Sequence, residues 1–155
     1  MNNALIKIRS IADYQFGRNI GRILFPEKVE IIYSKATGRI RFVNLNGKRL
    51  ATLRPTDGLF SISLQAAKIL VKKKNMVFCF VKVNNEISEF IEKGRDAFAV
   101  HIVDANKEIR AQSEVIVLNE NNKVLAVGRA LLSGLEMLAF KKGVAVKVRH
   151  GLKES

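Results

Sequence analysis

The 155-residue sequence has no tryptophan, two tyrosines, two histidines, two prolines and one cysteine. Each shortage excludes something. A single cysteine, Cys79, rules out an internal disulfide and any multi-cysteine zinc site. Its setting, Val77-Phe78-Cys79-Phe80-Val81, is that of a small buried hydrophobe. His101 sits in an apolar stretch and His150 near the C-terminus, and both read as structural or exposed groups. No HExxH, no GxSxG and no paired metal-ligand spacing occurs, so neither a catalytic residue nor a metal or other cofactor is expected. No apolar run approaches the ~18–20 residues that cross a bilayer, and no signal peptide is expected ahead of the first helical pattern. The expected compartment is therefore the cytoplasm, with no membrane partner.

Acidic residues are also scarce, 14 against 27 Lys and Arg, giving a formal net charge of +13. Such a chain favours polyanions. Residues 1–75 carry 15 Lys and Arg against four Asp and Glu, whereas residues 76–155 carry 12 against ten. A general lysine excess for solubility is the plainer reading of the total. The asymmetry favours a basic face on the first lobe. Hydrophobic residues make up 48%, enough for globular cores.

Along the chain, Ala4, Leu5, Ile8, Ile11 and Ala12 recur at helical spacing, and the helix should stop near Phe16–Gly17. A shorter turn follows, closed by Pro26. Its GRNIGR stretch lacks the Lys-Ser/Thr ending of a phosphate-binding loop. Strands are expected over Val29–Tyr33, Arg39–Leu45 and Lys48–Leu53, with Asn46-Gly47 as a type I′ hairpin turn. Ile40 and Phe42 should face inward, with Val43 and Leu45 joining them after a shift. The hairpin should gather Arg39, Arg41, Lys48, Arg49 and Arg54, a charge pattern that edge-strand protection also produces. Thr56–Phe60 should be a turn and Ile62–Val71 a helix or a strand followed by a helix, after which the run Lys72-Lys73-Lys74-Asn75 marks a domain boundary.

The second lobe should open with a strand, Met76–Val83. Asn85 should cap a helix, Glu86–Lys93, that turns Ile87, Phe90 and Ile91 inward and leaves Glu86, Glu89 and Glu92 solvated. Gly94 should end it. Strands follow over Ala97–Val103 and Glu114–Asn119. The last unit, Gly128–Arg149, holds a helix whose ends are legible residue by residue. Ser133 and Glu136 form a capping box, with Leu132 and Met137 as its hydrophobic staple. Lys141 and Lys142 should lie in its last turn and Gly143 at its C′ position. On the closing strand the valines 144, 146 and 148 should point to the core, and Ala145, Lys147 and Arg149 outward.

FIEKGRDAFAVHIVDANKEIR (90–110) together with GRALLSGLEMLAFKKGVAVKVR (128–149) resembles a PUA domain, in the form that ends archaeal archaeosine tRNA-guanine transglycosylases. DYQFG (13–17) and GRIRFV…LATLRPTDGLFSISLQAAKIL (38–70) resemble the domain just before that PUA. The resemblance implies an α+β chain, with a small mixed domain over 1–75 and a PUA pseudo-barrel over 76–155. The family's catalytic barrel has no counterpart in these residues, so the chain is expected to be non-catalytic. The resemblance further implies an RNA-binding surface at Lys93, Gly94, Arg95 and Asp96 and along Lys141, Lys142, Lys147 and Arg149. Its expected partner is tRNA, held at the acceptor stem and CCA end, and a separate transglycosylase chain is a possible second partner. A ribosome-associated translation factor with a PUA domain is the alternative, and a small modifying enzyme with an unrecognised site a third reading.

Overall fold

A computed structural model describes residues 3–154. The chain divides between Val77 and Phe78 into two compact units. The outermost residues of the two expected domains, 1, 2 and 155, lie outside the described range.

The first unit sets three helices against a four-stranded sheet. α1 (Asn3–Phe16) buries Leu5, Ile8, Ala12 and Phe16, the stripe its sequence spacing marks. α2 (Ile20–Leu24) crosses it closely. A Cβ on Gly21 would lie 2.2 Å from the Arg9 carbonyl, so only glycine admits that approach. β1 (Glu30–Tyr33), β2 (Ile40–Leu45), β3 (Lys48–Leu53) and β4 (Phe60–Ile62) form an antiparallel meander in that order. Asn46 and Gly47 have φ of 53° and 78°, both positive as a type I′ turn requires. α3 (Leu64–Val71) begins at Ser63, whose hydroxyl accepts the Ala66 N–H. Phe25 and Phe60 meet in the core with ring centroids 5.3 Å apart. Phe42, expected inward, is only partly buried, while Val43, Leu50 and Ala51 fill the core. A register shift between Val43 and Asn44 lets Phe42 sit beneath the guanidinium of Arg49.

The second unit is a six-stranded sheet in the order β6-β10-β9-β8-β5-β7. Its strands are β5 (Phe80–Val83), β6 (Ala97–Phe98), β7 (Ile102–Ala105), β8 (Glu114–Leu118), β9 (Val124–Ala130) and β10 (Val144–Gly151). β5 and β8 are parallel; every other pair is antiparallel. The two edge strands, β6 and β7, are joined by one 3₁₀ turn, Ala99–His101, which brings the sheet round into a nearly closed barrel. That turn breaks the single strand expected over Ala97–Val103. The expected strand Met76–Val83 is likewise shortened, because Lys74–Met76 forms a 3₁₀ turn.

α4 (Ser88–Glu92), preceded by the 3₁₀ turn Asn85–Ile87, departs most from expectation. Ile91 is buried as expected, but Phe90 is 52% exposed and Glu92 only 4%. The Glu92 carboxylate meets Lys153 Nζ at 3.2 Å and Lys123 Nζ at 3.8 Å, and its carbonyl accepts the Lys153 N–H. The C-terminal segment thus covers Glu92, while Glu86 and Glu89 stay exposed and Phe90 faces outward. Asn85 makes no helix cap. Its side chain accepts the Glu120 N–H while Glu120 Oε2 accepts the Asn85 N–H, a reciprocal clamp 35 residues apart in sequence.

α5 (Gly134–Ala139) carries the expected capping box, Ser133 Oγ from Glu136 N–H at 3.1 Å and Glu136 Oε1 from Ser133 N–H at 2.9 Å. Met137 is in the core and Leu132 packs against it. The helix ends before the lysines. Phe140 is already extended, and Gly143, at φ +95°, turns the chain so that its carbonyl accepts the Ala99 N–H. Lys141 and Lys142 therefore sit on the turn into β10. On β10, Ala145 is fully buried beside Val146, because the barrel closes over both faces at that point.

Candidate nucleic-acid interface

Each unit brings basic side chains to a cavity. In the second unit the site begins at the exit of α4. The Gly94 N–H donates to the Ile91 carbonyl and the Arg95 N–H to the Phe90 carbonyl, the paired bonds of a Schellman motif. Gly94 takes φ +100° to make them. A Cβ there would lie 3.4 Å from the Glu154 carboxylate, in ordinary contact with the C-terminal turn, so the positive φ is what favours glycine. Asp96 is turned inward, where Oδ1 accepts the Val148 N–H at 3.0 Å beside a register shift in β10. Lys93 and Arg95 remain exposed, with the Arg95 guanidinium carbon 5.9 Å from the centroid of the Phe90 ring.

Beside this loop lies a cavity of about 610 Å³ lined by Phe90, Arg95, Phe98 and His101 among others. Phe98 is 47% exposed, and its ring stands 6.3 Å from that of His101. Val144 pairs with Phe98, so the exposed Lys141–Lys142 turn arrives at the same wall. Lys147 is exposed further along β10, opposite exposed Arg129. Arg149 is engaged differently. Its guanidinium makes a two-point contact with Glu114, whose side chain is fully buried. The aromatic members of this site escaped the sequence reading. Phe90 has the spacing of a core residue, and only the outward turn of α4 frees it.

In the first unit the hairpin cations divide. Arg39 and Arg41 line a cavity of about 460 Å³ with Lys7 and Arg54. Lys48 lies at the hairpin tip, paired with Leu45. Arg49 donates from Nε to Asn44 Oδ1 at 3.0 Å and stacks 3.5 Å over Phe42, with Arg41 5.1 Å from the same ring. Arg54 is ion-paired with Asp57 at 2.9 Å. Burial acts to raise the Asp57 pKa, but the Leu59 N–H and the Arg54 guanidinium outweigh it and hold the carboxyl below its usual value.

Cys79 is buried, and that burial, together with the charge of Glu114, pushes its thiol far above the ordinary range, which suppresses the reactive thiolate. No cluster of three His, Cys, Asp or Glu able to hold a metal occurs among the described residues. Among these residues no helix is long and apolar enough to cross a membrane.

Residues 6–75 match the patch-forming domain C2 of tRNA-guanine transglycosylase, and residues 80–152 match the PUA domain. The chain is a C2 domain followed by a PUA domain. It is 44% identical over 152 residues to the tRNA-guanine(15) transglycosylase of Pyrococcus furiosus and 40% identical over 154 residues to that of Methanocaldococcus jannaschii. These alignments cover 98% and 99% of this chain but 26% and 24% of the relatives, in their C-terminal part. The chain thus spans about a quarter of the length of the curated relatives it matches. Among solved structures, a hypothetical protein of Pyrococcus horikoshii OT3 aligns over 97% of this chain and 91% of its own length, with a TM-score of 0.77 and 27% identity. A PUA domain from Aeropyrum pernix K1 shares the fold, with a TM-score of 0.70 at 16% identity over 100% of this chain and 85% of its own.

Proposed function

We propose that this C2–PUA pair is an RNA-binding module for tRNA. It docks on the acceptor stem and CCA end and serves as an accessory subunit or factor for a tRNA-modifying enzyme such as the archaeosine transglycosylase. The observation that carries the reading is the cavity beside the α4 exit. There two half-exposed phenylalanines and a histidine lie next to Arg95, with Lys93 on the same loop and the Lys141–Lys142 turn leading into the strand that pairs with Phe98. Single-stranded RNA ends are held by stacking unpaired bases on aromatic rings while cations take the phosphates. The C2 and PUA matches, in the order found in the transglycosylases, support tRNA as the ligand.

Charge should dominate affinity. For the full chain, log affinity is expected to fall with log salt at a slope of roughly −0.7 to −0.9 per phosphate neutralised. An affinity that stays flat from low to physiological salt defeats the reading. Co-purification of bound RNA should recover free tRNA; recovery with ribosomal subunits instead would favour a translation factor.

The loop itself is open to substitution. Arg95→Ala removes an exposed cation and should weaken tRNA binding with little change in melting temperature. Glu89→Ala, on the exposed side of α4, should do neither. Gly94→Val should cost about 1–2 kcal/mol, because a branched residue is forced to positive φ against the Glu154 side chain. Binding and thermal unfolding of all three at one salt concentration decide the matter. If Arg95→Ala binds like Glu89→Ala, the loop is structural only.

A further inference from the structure

The cavity of the first unit has a different chemistry from the one beside α4. Two turns wall it, Ser34–Gly38 and Arg54–Gly58. Each is closed by a bond between residues four apart, Gly38 N–H to the Ser34 carbonyl at 2.8 Å and Gly58 N–H to the Arg54 carbonyl at 3.0 Å. The Ser34 and Thr37 hydroxyl oxygens already accept the Thr37 and Arg39 N–H groups. Those bonds leave the two O–H hydrogens unused.

Besides Arg54, three cations line this space: Lys7 from α1, Arg39 just before β2 and Arg41 within it. None has a carboxylate partner among the described residues. Asp57, on the Arg54–Gly58 turn, is taken up by Arg54 through two contacts and by the Leu59 N–H. Three like charges facing one cavity repel each other, and an anion placed between them relieves that repulsion. The floor is aliphatic, with Ile11, Ile40 and Leu53, and no aromatic ring lines it. A site of this kind grips phosphate and sugar without reading a base.

We propose that Lys7, Arg39 and Arg41 form a phosphate-binding pocket in the C2 domain that holds an RNA phosphate group. The pocket rests on the RNA-binding reading above, and it adds Lys7 to the interface. It also separates Arg39 and Arg41 from Lys48 and Arg49, which lie outside the cavity. The guanidinium fork matches phosphate oxygens at two points, which a single ammonium does not. The phosphate can be an internal diester or the monoester at a 5′ end, since each offers at least two unesterified oxygens.

The test uses the full chain with Lys7→Gln, Arg39→Gln, Arg41→Gln, their triple combination, and Lys68→Gln as a control on the exposed side of α3. tRNA affinity is measured across a salt series. The triple variant should flatten the plot of log affinity against log salt by roughly 0.7–0.9, the contribution of one phosphate, and each single variant by part of that. Lys68→Gln should leave it unchanged. Pocket variants whose slopes match that of Lys68→Gln overturn the proposal. Repeating the series with phosphatase-treated tRNA separates the sources. An effect lost with the 5′ phosphate assigns the pocket to the terminal group, and an effect retained assigns it to the backbone. If the parent chain fails to bind tRNA at all, the RNA reading falls, and pyrophosphate titration followed at the Gly38 and Gly58 amides judges the pocket separately. Shifts in the parent that vanish in the triple variant uphold an anion site; no shift in the parent ends it.

Discussion

Arg149→Ala is expected to destabilise the PUA unit by about 3–5 kcal/mol, the range found when one partner of a buried ion pair is removed. The Glu114 side chain is fully buried and that of Arg149 is 32% exposed. The guanidinium reaches it at two points, on Oε1 at 3.0 Å and on Oε2. Truncating the arginine strips a buried carboxylate of its cation, and desolvation is then no longer offset. For a unit of this size the melting temperature should fall by well over ten degrees, on the order of 4–8 °C per kcal/mol. Arg149→Lys should recover only part of the loss, since an ammonium cannot make the paired contact. The double variant Glu114→Gln, Arg149→Met should be more stable than Arg149→Ala. Thermal unfolding of these chains with a tRNA-binding assay separates the two roles open to this residue. A variant that melts like the parent but no longer binds tRNA would return Arg149 to the RNA surface that the family resemblance implies.

Gln15→Ala should cost the C2 unit several kcal/mol, although it removes only four heavy atoms. β4 is an edge strand, and the outer N–H and carbonyl of Phe60 have no neighbouring strand to meet. The Gln15 amide takes the place of one. Nε2 donates to the Phe60 carbonyl at 2.6 Å and Oε1 accepts the Phe60 N–H at 2.8 Å. Each group left without a partner costs roughly 1–3 kcal/mol, and the Phe60 ring behind them is part of the core. Gln15→Glu should be at least as damaging at neutral pH, because its second oxygen would face the carbonyl it formerly bound. Lowering the pH until that carboxyl is protonated should restore part of the stability. Equilibrium urea unfolding measures both; a loss below about 0.5 kcal/mol for Gln15→Ala would show that the clamp contributes little.

The same clamp explains why DYQFG stands out in the sequence. Asp13 Oδ1 accepts the Gly21 N–H at 2.7 Å, Phe16 is fully buried, and Gly17 lies where a Cβ would meet the Met76 carbonyl at 2.1 Å. Four of its five residues hold the C2 fold together. Tyr14, 77% exposed, is the exception.

The features that the sequence determined by itself are those whose partners lie within about five residues. The Asn46-Gly47 turn, the Ser133–Glu136 capping box and the Gly94 helix stop all came through as read, because backbone geometry and one nearby side chain suffice for each. The α1 stripe was legible for the same reason, since its period is a property of the helix alone. Tertiary structure decided which of the candidate cations are free and which side chains line the cavities. Whether Glu92 is solvated depends on Lys153 and Lys123, and whether Arg149 is free depends on Glu114, 35 residues away. Asn85 was read as a cap but is claimed by Glu120 at the same separation. Helical spacing places Phe90 with Ile87 and Ile91, yet in the folded unit it lies half in the open. Burial of a charge is settled by whichever distant group reaches it first with good geometry, and no local period carries that information.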